Sequence, residues 1–163
     1  MNIPFNQLPG YNELFLDFIS DFNSVKRFFE YDFKSHEDFL KCIELTSESY
    51  RNGRKFLRKD LTSILSLQNQ SFGSGQKAID NIAALNDSST FAVVTGQQLG
   101  ILSGPLYTII KALNTIQLSE KLKSQFPDYN FVPVFWMEAD DHDFLEINNI
   151  SVVTKENELK KLT

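Results

Sequence analysis

Two short apolar segments, residues 91–95 and 131–137, are separated by a glycine-rich loop and by a segment with the apolar spacing of a helix. Residues 91–95 are rich in β-branched side chains and show no polar alternation, which is typical of a strand buried on both faces. Two strands joined by a helix are usually parallel neighbours with a right-handed connection. The sequence therefore predicts a βαβ unit, which restricts the chain to an α/β fold.

The connection between the predicted strands has a loop part and a helical part. Residues 96–105 contain three glycines and are predicted to form a loop. From Leu106 onwards apolar residues recur with helical spacing, and Pro105 lies where proline is favoured, at the first turn of a helix. Pro133 cannot donate to a sheet ladder, so we expect it near the start of the second strand or at an irregularity.

Helical patterns occupy residues 1–88. Asn12 is expected to cap the first helix, and Ser35 with Asp38 three residues later has the form of a capping box. Further apolar stripes predict helices on both sides of Gly53 and over residues 76–85. We expect the many phenylalanines of this region to form a core rather than a stack for a ligand. They are Phe15, Phe18, Phe22, Phe28, Phe29, Phe33 and Phe39.

The sequence thus divides into a helical region, residues 1–88, which is expected to pack on an α/β core formed by residues 89–163. A further strand is predicted at residues 150–153, followed by a polar segment. Two or three strands are few for a parallel sheet that is covered by helices. This favours the interpretation that the chain is a fragment of a larger protein, with a small sheet as the alternative.

Composition and charge limit the classes of partner. The net charge of −5 repels phosphate backbones, so we expect no nucleic acid as the main partner. No apolar run reaches the roughly 20 residues that cross a bilayer, and the first residues lack the features of a signal peptide. Cys42 is the only cysteine, and alone it forms neither an internal disulfide nor a thiolate zinc site. We expect a cytoplasmic protein with no membrane partner.

The glycine loop is the first candidate for ligand binding. Gly96, Gly100 and Gly104 allow a ligand to approach the backbone closely, and the free N–H groups at the start of the following helix attract phosphate or carboxylate. Gln97 and Gln98 add amide donors and acceptors. The spacing matches neither a Walker A loop nor the GxGxxG fingerprint, so a merely structural turn is the alternative.

An acidic segment that follows the second strand is the second candidate. It contains Glu138, Asp140, Asp141, His142 and Asp143. Such a cluster can hold Mg²⁺, bind a substrate amine or supply a general base, although a solvated acidic loop that caps a helix at Phe144 is the alternative. Ligands of parallel sheets bind beyond the carboxyl ends of the strands, and both candidate segments lie at such ends. The sequence therefore predicts one shared site, for which we assign no metal ligand.

The motifs of this region also resemble a known family. They are VVTGQQLG at 93–100, GPLYTIIKA at 104–112, VPVFW at 132–136 and DHDF at 141–144. Their order and spacing closely resemble the BshC family, the cysteine-adding enzymes of bacillithiol synthesis. The resemblance is strong from about Phe91 to Ile150 and diffuse over the helical first half. It implies the N-terminal portion of a considerably longer protein.

The resemblance implies a Rossmann-like core and a ligase reaction. The reaction would join the carboxyl group of cysteine to the amine of glucosaminyl malate, with ATP as the expected energy source and Mg²⁺ able to accompany it. The resemblance also implies that the full-length protein forms a homodimer through a long coiled coil.

Roles for individual residues follow from the same resemblance. Asp141, His142 and Asp143 are the catalytic candidates, which would orient or deprotonate the substrate amine. Lys111 has the right charge for a phosphate, with an exposed helix lysine as the alternative. The candidates for binding substrate or nucleotide are Gly96, Gln97, Gln98, Gly100, Gly104, Tyr107, Thr108, Lys111, Trp136 and Glu138.

Two other functions fit the same motifs. One is a nucleotide-binding enzyme of the nucleotidyl-transferase type, which would make an adenylate without the cysteine step. The other is a ligand-binding fragment with no activity of its own, since a truncated sheet has open edges. We expect the 163-residue chain alone to show no turnover.

Overall fold

The structure is a computed structural model that describes residues 3–51, 57–98, 100, 104–138 and 144–163. The chain forms two compact units, Met1–Phe56 and Leu57–Thr163. Within the described ranges, no helix is both long enough and apolar enough to cross a membrane.

The first unit is helical, as predicted. Asn12 caps its first long helix, because its side-chain oxygen accepts from the backbone N–H of Phe15 at 2.8 Å. Its elements are a 3₁₀ turn, Phe5–Gln7, and helices α1, Glu13–Ser20; α2, Phe22–Val25; and α3, His36–Arg51. The N–H of Asp38 donates to Ser35 Oγ at 3.1 Å, which is half of the predicted capping box. The other half is replaced, because the Asp38 carboxylate accepts from the N–H of Asp32 instead.

Aromatic side chains pack against one another in this unit. The ring centroid of Phe18 lies 6.1, 4.6 and 5.1 Å from those of Phe22, Phe29 and Phe33. The prediction of an aromatic core is confirmed only as contact between these rings, because Phe33 is 45% exposed and the other three rings are half-buried. It is wrong for Phe28, whose side chain is 61% exposed and lies under the guanidinium group of the preceding residue.

The second unit contains the predicted βαβ unit, and the α/β class is confirmed. Strands β1 and β2 pair in parallel, and helix α6 packs on both. The elements are α4, Arg58–Ser71; α5, Gln76–Ala84; β1, Thr90–Gln98; α6, Leu106–Gln125; β2, Asn130–Glu138; α7, Phe144–Ile147; β3, Ile150–Val153; and β4, Leu159–Leu162. Helices α4 and α5 belong to the same compact unit as the sheet. The boundary at residues 88 and 89 stays a prediction.

Strand β1 is longer than predicted. Residues 96–98 were expected in a loop, but they continue the strand and pair with residues 136–138. A Cβ atom on Gly96 would lie 2.8 Å from the carbonyl oxygen of Trp136. The absence of a side chain at Gly96 therefore lets the two backbones stay paired at this position.

The prediction that β1 is buried on both faces is wrong in this chain. Val94 is 60% exposed and Ala92 is also exposed, whereas Phe91 and Val93 on the opposite face are half-buried. Lys111 of α6 bonds to the side chain of Gln97, which lies on the same face as Phe91 and Val93. Helix α6 thus covers one face of β1 and leaves the face of Val94 open.

Proline positions differ slightly from expectation. Pro133 is the fourth residue of β2, where it pairs with Val93 in a continuous register. The expected position near the strand's start is therefore wrong. In the described sheet β2 has a single neighbour, so the missing N–H can face away from the ladder. Pro105 is the N-cap of α6, one residue before the predicted first turn.

The predicted strand at residues 150–153 is confirmed as β3, but its partner was not foreseen. It pairs antiparallel with β4 in a second, separate two-stranded sheet. Asn157, with a φ of 62°, lies in the connection between them, and asparagine tolerates that left-handed conformation better than most residues. The polar segment predicted after β3 therefore contains a strand.

Arg58 holds the chain that leads into β1. Its Nη1 atom donates to the carbonyl oxygens of Leu85, Asp87 and Thr90 at 2.8, 3.0 and 3.0 Å. The Asp87 carboxylate accepts from both the N–H and the hydroxyl of Ser89, and the N–H contributes most to lowering the pKa of Asp87. These contacts fix where β1 begins and so fix the position of its far end.

Candidate functional site

The ends of the two parallel strands place the two predicted binding segments side by side. Gly96 pairs with Trp136, and Gln98 pairs with Glu138. Both strands end at the same edge of the sheet, which is the edge where ligands of parallel α/β sheets bind. The structure therefore brings these four predicted residues together.

Helix α6 is attached to this edge through Lys111. Its half-buried ammonium Nζ lies 3.0 Å from the carbonyl oxygen of Gly96 and 3.0 Å from Oε1 of Gln97. It also lies 4.7 Å from the ring centroid of Tyr107, at cation–π distance. Lys111 is thus neither a free surface lysine nor detached from the predicted site.

The two later glycines of the loop lie against each other. A Cβ atom on Gly100 would lie 2.7 Å from the Cα atom of Gly104. Gly104 has a φ of +73°, which favours glycine, and a Cβ atom there would lie 3.2 Å from Oγ1 of Thr108. The loop between β1 and α6 is therefore closed at its base by a contact that side chains would prevent.

The first turn of α6 has unused polar groups. Its N-cap, Pro105, makes no side-chain cap hydrogen bond. The hydroxyl of Thr108 is buried and has no hydrogen-bond partner among the described residues. A helix N-terminus with free N–H groups and a positive dipole end attracts anions. The arrangement fits a phosphate or a carboxylate group.

Trp136 and Glu138 form a polar–aromatic pair on the open face of β2. The indole Nε1 of Trp136 donates to Oε2 of Glu138 at 3.0 Å, and Trp136 is 61% exposed. Paired residues of parallel strands point to the same side, so both lie on the face of Gly96 and Gln98. A flat ring beside a carboxylate can stack on a planar or sugar ring and accept from an amine or hydroxyl group.

The acidic segment falls in the gap at residues 139–143. Asp141, His142 and Asp143, predicted as catalytic, lie outside the described residues, as does Asp140. Their roles stay predictions. Glu138 is described, and it ends β2 immediately before this segment. Among the residues that the structure describes, no group of three or more histidine, cysteine or acidic residues could hold a metal ion.

Sequence reasoning did not foresee what Lys111 contacts. The only signal was a lone cation near the start of a largely apolar helix that follows a glycine loop. That pattern left open whether the ammonium group pointed to solvent, to a ligand or to the strand.

A sequence model described as "Bacillithiol biosynthesis BshC, N-terminal Rossmann-like domain" matches residues 1–163. The chain belongs to the BshC family. The Rossmann-like class that the motifs implied is thereby confirmed.

Curated relatives show the same relationship over most of the chain. Three proteins named "Putative cysteine ligase BshC" come from Chloroherpeton thalassium, Flavobacterium psychrophilum and Desulforamulus reducens. They are 39, 38 and 41% identical over 99, 89 and 84% of this chain. These matches cover 29, 27 and 24% of the relatives, so the chain spans about a quarter of their length. The helical first half, where the motif resemblance was diffuse, is included in the family match.

Proposed function

We propose that the chain is the N-terminal part of a BshC ligase that joins the carboxyl group of L-cysteine to the amine of glucosaminyl malate in bacillithiol biosynthesis. Family membership and the names of the relatives support a cysteine ligase. The observation that most supports the proposed site is the pairing of Gly96 with Trp136 and of Gln98 with Glu138 at the carboxyl edge of a parallel sheet. We propose that this edge binds an anion and an amine close to each other.

Joining a carboxylate to an amine is unfavourable in water, so the proposal includes ATP as the third substrate. One carboxylate oxygen leaves on phosphorus, either with AMP after release of pyrophosphate or with phosphate after release of ADP. The amine then forms the C–N bond, the activated C–O bond breaks and the amine loses a proton. Mg²⁺ would accompany the nucleotide phosphates, as it commonly does.

The anion side of the site would be formed by the loop and the start of α6. Gly100 and Gly104 let the loop close tightly just before α6, and Thr108 has a buried hydroxyl without a described partner. The N-terminal dipole of α6 favours negative charge at the same place. We assign this part to a phosphate of ATP or to the carboxylate of cysteine.

The amine side would be formed by the end of β2 and the segment after it. Glu138 can accept from an amine, and Trp136 offers a flat surface for a sugar or adenine ring. Asp141, His142 and Asp143 are proposed to orient and deprotonate the amine, since a neutral amine is the nucleophile. We further propose that the whole protein is a cytoplasmic homodimer and that the 163-residue chain alone is inactive.

The test uses the protein encoded by the complete reading frame that contains this sequence. It is incubated with L-cysteine, glucosaminyl malate, ATP and Mg²⁺, and the product is followed by mass spectrometry. We expect a product with the mass of both substrates less one water, and one ATP consumed for each product. Absence of this product would contradict the ligase. Pyrophosphate release in the absence of cysteine would favour a nucleotidyl transferase.

A further inference from the structure

We infer that Lys111 is a positioning residue that fixes the side-chain amide of Gln97, so that its NH₂ group faces an oxygen anion bound at the end of β1. The inference rests on the proposed function, because it concerns the same edge of the sheet. It assigns to Lys111 a role other than direct contact with phosphate.

The first step is the chemistry of the two groups. An ammonium group has three hydrogens to donate and no acceptor. The side-chain amide of Gln97 lies 3.0 Å from Nζ of Lys111 and therefore must present its oxygen to it. The choice between the amide oxygen and nitrogen, which is often ambiguous, is settled here by the cation.

The second step concerns the remaining hydrogens of Lys111. Nζ also lies 3.0 Å from the carbonyl oxygen of Gly96 and 4.7 Å from the ring centroid of Tyr107. These contacts engage the ammonium group within the protein. Lys111 therefore acts on a ligand through Gln97 and through its positive charge.

The third step concerns the other end of the amide. With its oxygen held by Lys111, the Gln97 amide directs Nε2 away from the Lys111 ammonium group. Within the described ranges, no residue accepts a hydrogen bond from Nε2. The NH₂ group is therefore available to a ligand, and its chemistry selects an oxygen acceptor. A substrate carboxylate and an ATP phosphate share that chemistry.

Kinetics of the complete enzyme test the inference. Gln97→Glu keeps an oxygen for Lys111 but replaces the NH₂ donor with a second carboxylate oxygen. We expect the KM of one anionic substrate to rise about 10- to 100-fold, as for a lost hydrogen bond to a charged group. A rise in the KM of cysteine identifies the carboxylate as the acceptor, and a rise in the KM of ATP identifies a phosphate.

Variants of Lys111 separate positioning from direct contact. Lys111→Met frees the amide to rotate, so we expect a smaller rise in the same KM. Lys111→Arg also has donors only, so it should restore most of the affinity. The combination of Gln97→Glu with Lys111→Met should cost less than the sum of the two single changes, because both act through one group. Lys121→Met, an exposed lysine on the same helix, is the matched control and should leave both KM values unchanged.

Two results would overturn the inference while leaving the ligase intact. One is a Gln97→Glu enzyme with the wild-type KM for cysteine and for ATP. The other is a loss in Lys111→Arg as large as that in Lys111→Met. If the wild-type enzyme makes no product, the proposed function fails. The inference is then tested by calorimetric titration of the same variants with ATP and with cysteine, where the dissociation constants should change in the order expected above for the KM values.

Discussion

The Cα atom of Gly104 lies 2.7 Å from the position that a Cβ atom would take on Gly100. Non-bonded carbon atoms keep a separation of about 3.5–4.0 Å at their optimum, so this contact depends on glycine. It closes the base of the loop directly before the N-terminus of α6. The shape of the proposed anion site thus depends on two residues that have no side chain.

Gly100→Ala should weaken ligand binding at this loop. The added methyl group forces the loop base apart and moves the N–H groups of the first helical turn. We expect about a tenfold loss of affinity for ATP or for cysteine, equivalent to about 1.4 kcal/mol, in calorimetric titration of the complete protein. Gly75→Ala is the matched control, because a Cβ atom there meets nothing within 4 Å. Wild-type affinity of Gly100→Ala for both ligands would contradict the anion site.

Gly96→Ala should destabilise the sheet. Its methyl group would lie 2.8 Å from the carbonyl oxygen of Trp136, so the two strands must separate locally. We expect a loss of about 1–3 kcal/mol in the free energy of unfolding, the usual cost of overpacking. Urea denaturation followed by the fluorescence of Trp136 measures it. A loss no larger than that of Gly75→Ala would show that the strands can absorb the methyl group.

Arg58→Met should destabilise the second unit at the entry to β1. The change removes the donor that reaches the carbonyl oxygens of Leu85, Asp87 and Thr90. Hydrogen bonds from a charged donor contribute about 1.5–3 kcal/mol, so we expect a loss of that size in the free energy of unfolding. The control is Lys59→Met, which alters the adjacent exposed residue and should have little effect. Equal stabilities of the two variants would refute the anchoring role of Arg58.

Asp38 should make the first unit sensitive to acid. The N–H of Asp32, assisted by Lys41, lowers the pKa of Asp38 from its ordinary value of 3.8. A lowered pKa in the folded state means that the ionised carboxylate stabilises the fold above pH 3.8, and that this contribution disappears as the pH falls through the folded pKa.

Asp38→Asn should therefore lower the thermal midpoint of the first unit near neutral pH, and the effect should disappear as the pH falls through the folded pKa of Asp38 and the wild-type carboxyl becomes neutral. NMR resonances of the aromatic cluster around Phe18 follow this unit alone. A difference between the two proteins that stays constant from neutral pH down through the titration of this carboxyl would exclude an effect of the charge.

Local signals predicted the regular elements well. The cap at Asn12, the start of α6 at Leu106 and the strand that begins near Phe91 each follow from a few neighbouring residues. Gly96 and Gln97 were assigned to a loop, because glycine and glutamine do not favour strands. Pairing with β2 overrides that preference. Strand β4 was missed for a similar reason. Its two lysines give it no apolar pattern typical of a strand, and its strand conformation depends on pairing with β3.

The candidate site was predictable in its position but not in its contacts. Two strands joined by a helix bring their carboxyl ends to one edge, so the proximity of Gln98 and Glu138 follows from topology alone. The bond from Lys111 to Gln97 depends on how α6 is rotated over the sheet. No local pattern gives that rotation, because apolar residues occur on more than one side of this helix.

The constant register of β1 and β2 also has a consequence for synthesis of the chain. Each residue of β1 pairs with the residue 40 positions later, as in the bond between Asn130 and Thr90. No pair between β1 and β2 can therefore form on the ribosome before β2 has emerged. Until then β1 is an apolar segment without this partner strand. Helix α6, whose helical backbone hydrogen bonds are local, can form earlier and shorten the distance that the chain must close.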